Sequence, residues 1–484
     1  MSDDETSGAP AVARERGLAG RALALVDALI VAYLAVGLVY LLAGGIDLGI
    51  ASVRRFSKPA LILLLLVSVR AAIPRPSWLT RLASDAAARV GAAQARLLAR
   101  SPWGPALFDS LAAVLSVHVL TKGTSFLAGL VFPPARPRPF PMPFEAQRLA
   151  ETFAAWDSGW YFDIAQRGYY WSASGQSSLA FFPLYPLLMR ALAWPFGGGD
   201  RALWLAGVAL SYLCLLFGLA VLHRFAESRL GAREAARRTV LYVAVFPFAY
   251  FFTQVYTESL FLLTSVSAVA AAFASRWGWA GAFGALAALT RPNGILVAVP
   301  LGLVALAGRP RAAELARRIA LLSPVALGFA GYCAFAWRLS GDPLGWLRAQ
   351  SQWGYSVGNR PWVELMRLVD GIDRLGLYAY FLSHPLAPYY FVHGMVALVF
   401  VALAPSVFSR LGLALGAYVA ASLYVPLSGN ALEGIGRYAA TLFPVFMLVG
   451  GRVRSPRVHE ALLVSGALLL SLFSALFATW HPLY

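Results

Sequence analysis

The sequence predicts an all-α, polytopic membrane protein, and three observations carry that prediction. Of its 484 residues 59% are hydrophobic and only 13% charged, with a mean hydropathy of +0.65; soluble globular domains are about a quarter charged. The apolar residues fall in repeated blocks long enough to cross a hydrocarbon layer, about 20 residues each. Between the blocks the arginines gather in short clusters, the pattern that orients cytoplasmic loops. The formal charge of +17 therefore reads as membrane orientation and not as a nucleic-acid footprint. Cys214 and Cys333 both lie in apolar stretches, which indicates neither a disulfide framework nor a thiolate metal site.

Residues 1–21 read as a cytoplasmic tail, acidic and then basic, with no cleavage site after a short apolar core; the first span, 22–43, is expected to be retained. A short span at 59–73, interrupted by Arg70, and a longer one at 105–132 complete an N-terminal transmembrane region, 22–132. The intervening 74–104 carries Arg75, Arg81, Arg89, Arg96 and Arg100 against Asp85 and is assigned to the cytoplasm. The run PPARPRPFPMP at 133–143 cannot be helix. From 144 to 168 a helical pattern of mixed polarity resumes, as in a helix lying at the interface. Residues 181–194 are apolar enough to cross, but a crossing there would place Arg224, Arg229, Arg233, Arg237 and Arg238 outside; a second interfacial or re-entrant helix is expected instead.

The remainder, 201–484, alternates regularly. Spans are expected at 203–223, 239–252, 258–274, 278–290, 294–307, 319–338, 385–405, 411–427, 436–450 and 459–478, with a long outer segment at 339–384. The arginines at 309, 311, 317, 318, 452, 454 and 457 then all face inward. The total is about 13 crossings in a cell membrane, N-terminus inside and C-terminus outside. No internal repeat is visible.

On this topology the polar residues that break the apolar pattern collect on the outer side. They are densest at 156–186, WDSGWYFDIAQRGYYWSASGQSSLAFFPLYP, inside an outer loop spanning 133–200. Taken as helix, Asp157, Trp160, Tyr161, Ile164 and Gly168 share a face while Asp163 points nearly opposite, beside Arg167. Asp157 could serve only as a helix cap, but a cap does not call for so many rings around it. Glu258 opens an apolar helix, where the helix dipole alone would favour an acid. Arg291, Pro292, Asn293 and Gly294 break what would otherwise be one helix too long for the bilayer, as in anion sites built from interrupted membrane helices. Arg437, followed by Tyr438, sets a second guanidinium near the outer end of its span, where a buried cation is costly enough to be functional by default.

These residues suggest a division of charge. Arg291 and Arg437 would hold a lipid-linked phosphate, and a carboxylate would take the proton of an attacking hydroxyl. Trp156, Trp160, Tyr161, Tyr185 and Tyr438, with the polar Asp163, Glu258 and Asn293, would contact the sugar or the acceptor. There is no P-loop, dinucleotide fingerprint, HExxH or serine-nucleophile motif in plausible context. No cofactor and no divalent metal is expected.

Five stretches in order resemble the PIG-V family, the GPI mannosyltransferase 2-like membrane proteins of the GT-C glycosyltransferase superfamily. They are Trp156–Asp157 with Tyr169 after Gly168; Phe181–Phe182–Pro183–Leu184–Tyr185–Pro186; Phe246–Pro247 followed by Tyr256–Thr257–Glu258–Ser259–Leu260–Phe261; Arg291–Pro292–Asn293–Gly294; and Arg437–Tyr438 with Phe443–Pro444. The resemblance covers 150–450. It implies a GT-C fold and inverting transfer of a mannosyl residue from a polyprenyl- or dolichyl-phosphate donor on the non-cytoplasmic face. It also maps the essential acid of the first large outer loop to Asp157. The chain departs from the family by placing that loop after three spans in place of one. The partners it implies are a lipid-linked sugar donor and a membrane lipid or glycan acceptor in the bilayer. A groove open to the outer leaflet is expected between 133–200 and the break at 291–294, with Asp157 at its water-facing end. The rival reading, a polytopic transporter or flippase of lipid-linked sugars, would show two comparable halves, and the sequence shows none.

Overall fold

A computed structural model describes residues 20–36, 101–132, 152–355, 358–429 and 434–483, positions 135 and 432, and scattered residues between 46 and 92. The chain divides into two compact units, Met1–Pro105 with Phe144–Leu149, and Ala106–Pro143 with Ala150–Tyr484.

In the first unit residues 20–36 are helical, and Ile46–Asp47 pairs antiparallel with Ser52–Val53. Asp27 is fully buried. Arg70, the charge that interrupts the second predicted span, donates Nε to Asp27 Oδ1 at 2.9 Å and Nη1 to the Ile73 carbonyl at 2.8 Å. A cation in an apolar stretch is tolerated when an anion and a carbonyl take up its donors. The proline-rich 133–143, apart from Ala135, and the predicted helical start at 144–151 lie outside the described residues.

The second unit is a multi-pass helical assembly. Five of its described helices are long and apolar enough to cross a membrane: Gly104–Gly129, Asp200–Leu230, Ala312–Ser340, Ala387–Leu411 and Pro456–Ala478. Four shorter apolar helices accompany them, Glu258–Phe273, Pro292–Leu306, Leu413–Leu427 and Phe443–Arg452. The long helices keep large apolar side chains exposed, among them Leu205, Leu327, Val464 and Leu468 at 60% or more. Such surface is unfavourable in water and fits lipid tails.

Several predicted spans have different ends, each for a local reason. The span expected at 239–252 is a helix at Arg233–Ala244, then a turn through Pro247 and a 3-10 segment, Ala249–Thr253. Proline lacks the amide that would continue the helix. The span expected at 436–450 is split at Thr441–Leu442 into Ile435–Ala440 and Phe443–Arg452, the second with proline in its first turn. The span expected from 319 begins at Ala312, because Glu314 accepts from Arg317 at 3.0 Å and Arg318 at 2.9 Å one turn on. Residues 181–194 form only a ten-residue helix, Leu184–Ala193, with a 3-10 turn after it. At about 1.5 Å per residue it covers half the hydrocarbon thickness. Residues 339–384, expected as an outer segment, hold three short helices, Gly345–Ser351, Val363–Leu375 and Leu377–Ser383.

Packing is close where backbones touch. A β-carbon at Gly281 would stand 1.9 Å from the Leu321 carbonyl oxygen, so helices Trp277–Ala288 and Ala312–Ser340 meet at a glycine. Below the site the buried rings of Phe248, Tyr250, Phe251, Phe443 and Phe477 form one aromatic core. A π-helical turn, Val119–Gly123, turns Lys122 inward. Its Nζ donates to the Thr152 carbonyl at 2.6 Å and lies 4.7 Å over the Phe153 ring. Gln254 Nε2 donates to the same carbonyl at 3.2 Å, and the Val255 amide donates to the Phe153 carbonyl at 2.9 Å. These bonds fix the strand of chain that enters the acidic loop.

Candidate functional site

The chain at 152–157 turns, and the helix Ser158–Arg167 starts only after Asp157. The longer helix expected across this stretch is therefore absent from 152–157. Trp156 adopts φ 55, a region that bulky residues occupy at a cost of about 1–3 kcal/mol unless the surroundings hold them there. Its indole N–H donates to the Phe477 carbonyl at 3.3 Å and its ring packs on Trp480 at 5.0 Å. Asp157 consequently occupies the N-cap position without capping, since its side chain makes no bond to the first turn. Its Oδ2 instead accepts from Arg437 Nη1 at 2.8 Å. The Asp157 amide donates to Tyr256 Oη at 3.0 Å, and that hydroxyl donates onward to the Ala155 carbonyl at 3.2 Å. Burial first, and then the charge of Asp157, hold the Tyr256 phenol above its usual range, so it stays protonated as this pattern requires.

Arg437 lies on Ile435–Ala440, its guanidinium 5.0 Å from the Phe251 ring and 4.9 Å from the Tyr256 ring. Its Nε donates to Glu258 Oε1 at 2.9 Å. Glu258 is fully buried at the start of Glu258–Phe273, and the same Oε1 accepts from Arg291 Nη1 at 2.9 Å. Arg291 is extended, its guanidinium 4.9 Å over the Tyr438 ring, immediately before the 3-10 turn Pro292–Val297. Gly294 makes that break possible: a β-carbon there would lie 1.9 Å from the Ala287 carbonyl oxygen. The result is a continuous chain of charge, Asp157–Arg437–Glu258–Arg291, in which two cations and two anions cancel.

A cavity of about 400 Å³ opens over this chain, within the range of small-molecule sites. Trp156, Asp157, Tyr161, Arg291, Arg437 and Tyr438 line it. Residues from 156–182, 290–292, 350–355 and 434–438 meet there, so the expected association of the acidic loop with the broken helix is present in the geometry. Burial raises the Tyr161 phenol above its usual range, and the Arg437 charge opposes that only in part.

The other residues singled out from sequence stand elsewhere. Glu258 lies behind the lining, and Asn293 is buried with its Oδ1 unpartnered. Trp160 stacks on Phe181 at 5.4 Å with an interplanar angle of 12°, and meets Trp353 edge-on at 5.1 Å. Asp163 pairs with Arg167 at 3.4 Å on the far face of its helix. Tyr185 is fully buried, its hydroxyl donating to the Gly207 carbonyl at 2.9 Å beside Ser211 at 2.7 Å, so it packs the core and does not face the cavity. Among the described residues no group of three or more His, Cys, Asp or Glu side chains is placed to hold a metal ion.

The sequence reading passed over one wall altogether. Gln350, Gln352, Trp353 and Tyr355 all line the cavity from the stretch 339–384. Gln350 Nε2 donates to the Ala180 carbonyl at 2.8 Å and Gln352 Nε2 to the Ser172 carbonyl at 2.9 Å, tying that segment to the acidic loop. The signal was present as a second cluster of amides and aromatic rings, QSQWGY at 350–355.

No curated protein matches the chain. Residues 111–309 match the family model described as mannosyltransferase (PIG-V), a span that holds Trp156, Asp157, Tyr161, Glu258 and Arg291. Arg437 lies beyond the span and is joined to it by its bonds to Asp157 and Glu258. Over these residues, less than half of its length, the chain is similar to the PIG-V family of mannosyltransferases.

Proposed function

We propose that this protein moves a mannosyl residue, with inversion, from a polyprenyl-phosphate donor to a hydroxyl of a glycolipid or glycan acceptor on the non-cytoplasmic face of the membrane. The observation that carries the reading is Arg437, held between Asp157 and Glu258 on a cavity that Arg291 and Tyr438 also line. Two guanidiniums on one cavity suit a lipid-linked phosphate, which accepts their forked donors. A carboxylate at the same cavity suits a proton acceptor.

In this mechanism the donor phosphate lies against Arg291 and Arg437. The acceptor oxygen attacks the anomeric carbon from the face opposite the phosphate, forming the new glycosidic bond. The bond from that carbon to the phosphate oxygen breaks, its electron pair stays on the phosphate, and the acceptor's proton passes to Asp157. A single displacement of this kind inverts the anomeric centre. The arginines stabilise the charge that grows on the departing polyprenyl phosphate. Glu258, buried and bonded to both guanidiniums, keeps them in register while the ligand's charge changes. The arginine clusters at 224–238 and 308–318 support a cytoplasmic assignment for those loops, and with it the reading that the cavity faces the other side.

The test is direct. Purified full-length protein in lipid nanodiscs, given polyprenyl-phosphate mannose and a membrane lipid extract, should yield a new mannosylated product. Absence of transfer from every lipid-phosphate sugar supplied would remove the proposal.

A further inference from the structure

The wall formed by residues 350–355 lies outside the span matched by the family model and outside the chain of ion pairs. Helix Gly345–Ser351 delivers it to the cavity, and Gln352 is fixed through its Nε2 bond to the Ser172 carbonyl. That bond leaves its Oε1 buried with no partner. On the next residue the complementary group is unsatisfied: Trp353 Nε1–H is buried and has no acceptor. The Trp353 ring is held by edge-on contacts to Trp160 at 5.1 Å and Phe181 at 5.8 Å. Both residues line the cavity.

Buried polar atoms are almost always bonded, and leaving one unmatched is costly. Here one unmatched acceptor and one unmatched donor stand on consecutive residues of a cavity wall. A phosphate or carboxylate, which only accepts, would satisfy the indole alone. An ammonium, which only donates, would satisfy the amide oxygen alone. A hydroxyl both donates and accepts, and the surrounding rings offer apolar faces of the kind that sugar rings pack against.

We propose that Gln352 and Trp353 form a hydroxyl-reading subsite for the sugar ring of the acceptor, separate from the arginine end of the cavity. The inference rests on the transferase reading of the same site and narrows it: the acceptor group is a polyhydroxyl ring, whose hydroxyls can meet both unmatched atoms while its apolar face packs on the surrounding rings. The donor sugar belongs beside Arg291 and Arg437, because its anomeric carbon is one bond from the phosphate oxygen. The second ring is the one left for residues 352 and 353.

Titration of the full-length protein in nanodiscs with methyl α-D-mannopyranoside, followed by saturation-transfer NMR, tests the subsite without turnover. Saturable binding is expected. Trp353→Phe keeps a ring but removes the N–H, and Gln352→Met keeps the length but removes the carbonyl; each should weaken binding roughly tenfold. In the transfer assay both variants should raise the acceptor KM roughly tenfold while kcat and the donor KM hold. Size-exclusion profiles check folding, and either variant suffices if the other does not fold. No saturable binding, or equal binding by wild type and both variants, overturns the proposal and leaves a water-filled wall. Weakened binding without transfer from any lipid-phosphate sugar keeps the subsite and removes the transferase reading. Transfer with an unaltered acceptor KM does the reverse.

Discussion

Arg437 donates to Asp157 across 280 positions of sequence, at 2.8 Å, with both side chains on one cavity. The same guanidinium reaches Glu258, so one planar fork spans the acidic loop and the start of a buried helix. Lysine, a single point donor, has no such span. Arg437→Lys should therefore lose one of the two contacts and cut transfer at least about tenfold, measured as initial rate at saturating donor.

Asp157→Asn should lower kcat by about two orders of magnitude or more, the scale of losing a positioned general base. Side-chain volume is kept and Arg437 retains Glu258, so the donor KM should hold. Full activity in the asparagine variant would remove Asp157 as the base.

Glu258→Gln should destabilise the protein by about 3 kcal/mol, because it leaves two buried guanidiniums with Asp157 as their shared counter-charge. Asp163→Asn is the contrast. Its pair with Arg167 at 3.4 Å is on the solvent side, and its loss should shift stability by less than about 0.5 kcal/mol. Thermal unfolding in detergent separates the two outcomes; equal shifts would contradict the burial argument.

Two glycines offer a test of the helix break. In both Gly294→Ala and Gly281→Ala the new methyl would meet a backbone carbonyl at 1.9 Å, and each should cost roughly 1–3 kcal/mol. Only the Gly294 variant moves the turn that carries Arg291. It should raise the donor KM several-fold, whereas Gly281→Ala should leave kinetics near wild type in the folded fraction.

Sidedness is accessible by labelling. In a background with Cys214 and Cys333 replaced by alanine, Ser174→Cys should react with an impermeant maleimide from outside intact cells and Ala232→Cys should not. Both positions are exposed in the structure. The opposite pattern would put the cavity in the cytosol.

The sequence made the helical class and the charged half of the site legible for the same reason: a polar residue in an apolar stretch is costly and therefore conspicuous. Arg291 and Arg437 stood out in this way, and both line the cavity. Tyr185 did not serve its expected role because an aromatic ring beside a prolyl turn looks the same whether its hydroxyl meets a ligand or the Gly207 carbonyl. Gln350 and Gln352 went unremarked because neutral amides in a mixed segment carry no such cost. Their importance comes from being bonded to the 172–180 loop, which no local spacing encodes. Helix ends shifted at Pro247, Thr441 and Glu314, where backbone donors and side-chain pairs overrode the hydropathy pattern.

Lys122 has a consequence for how such a protein can vary. Its grip on the Thr152 carbonyl, shared with Gln254, sets where the backbone stands five residues before Asp157. The position of the carboxylate is thereby set by bonds made at 152 and beyond. Insertions or deletions upstream of 152 should therefore leave Asp157 where it stands. Replacing the lysine would remove that anchor and make the position of Asp157 depend on the length of the chain before it.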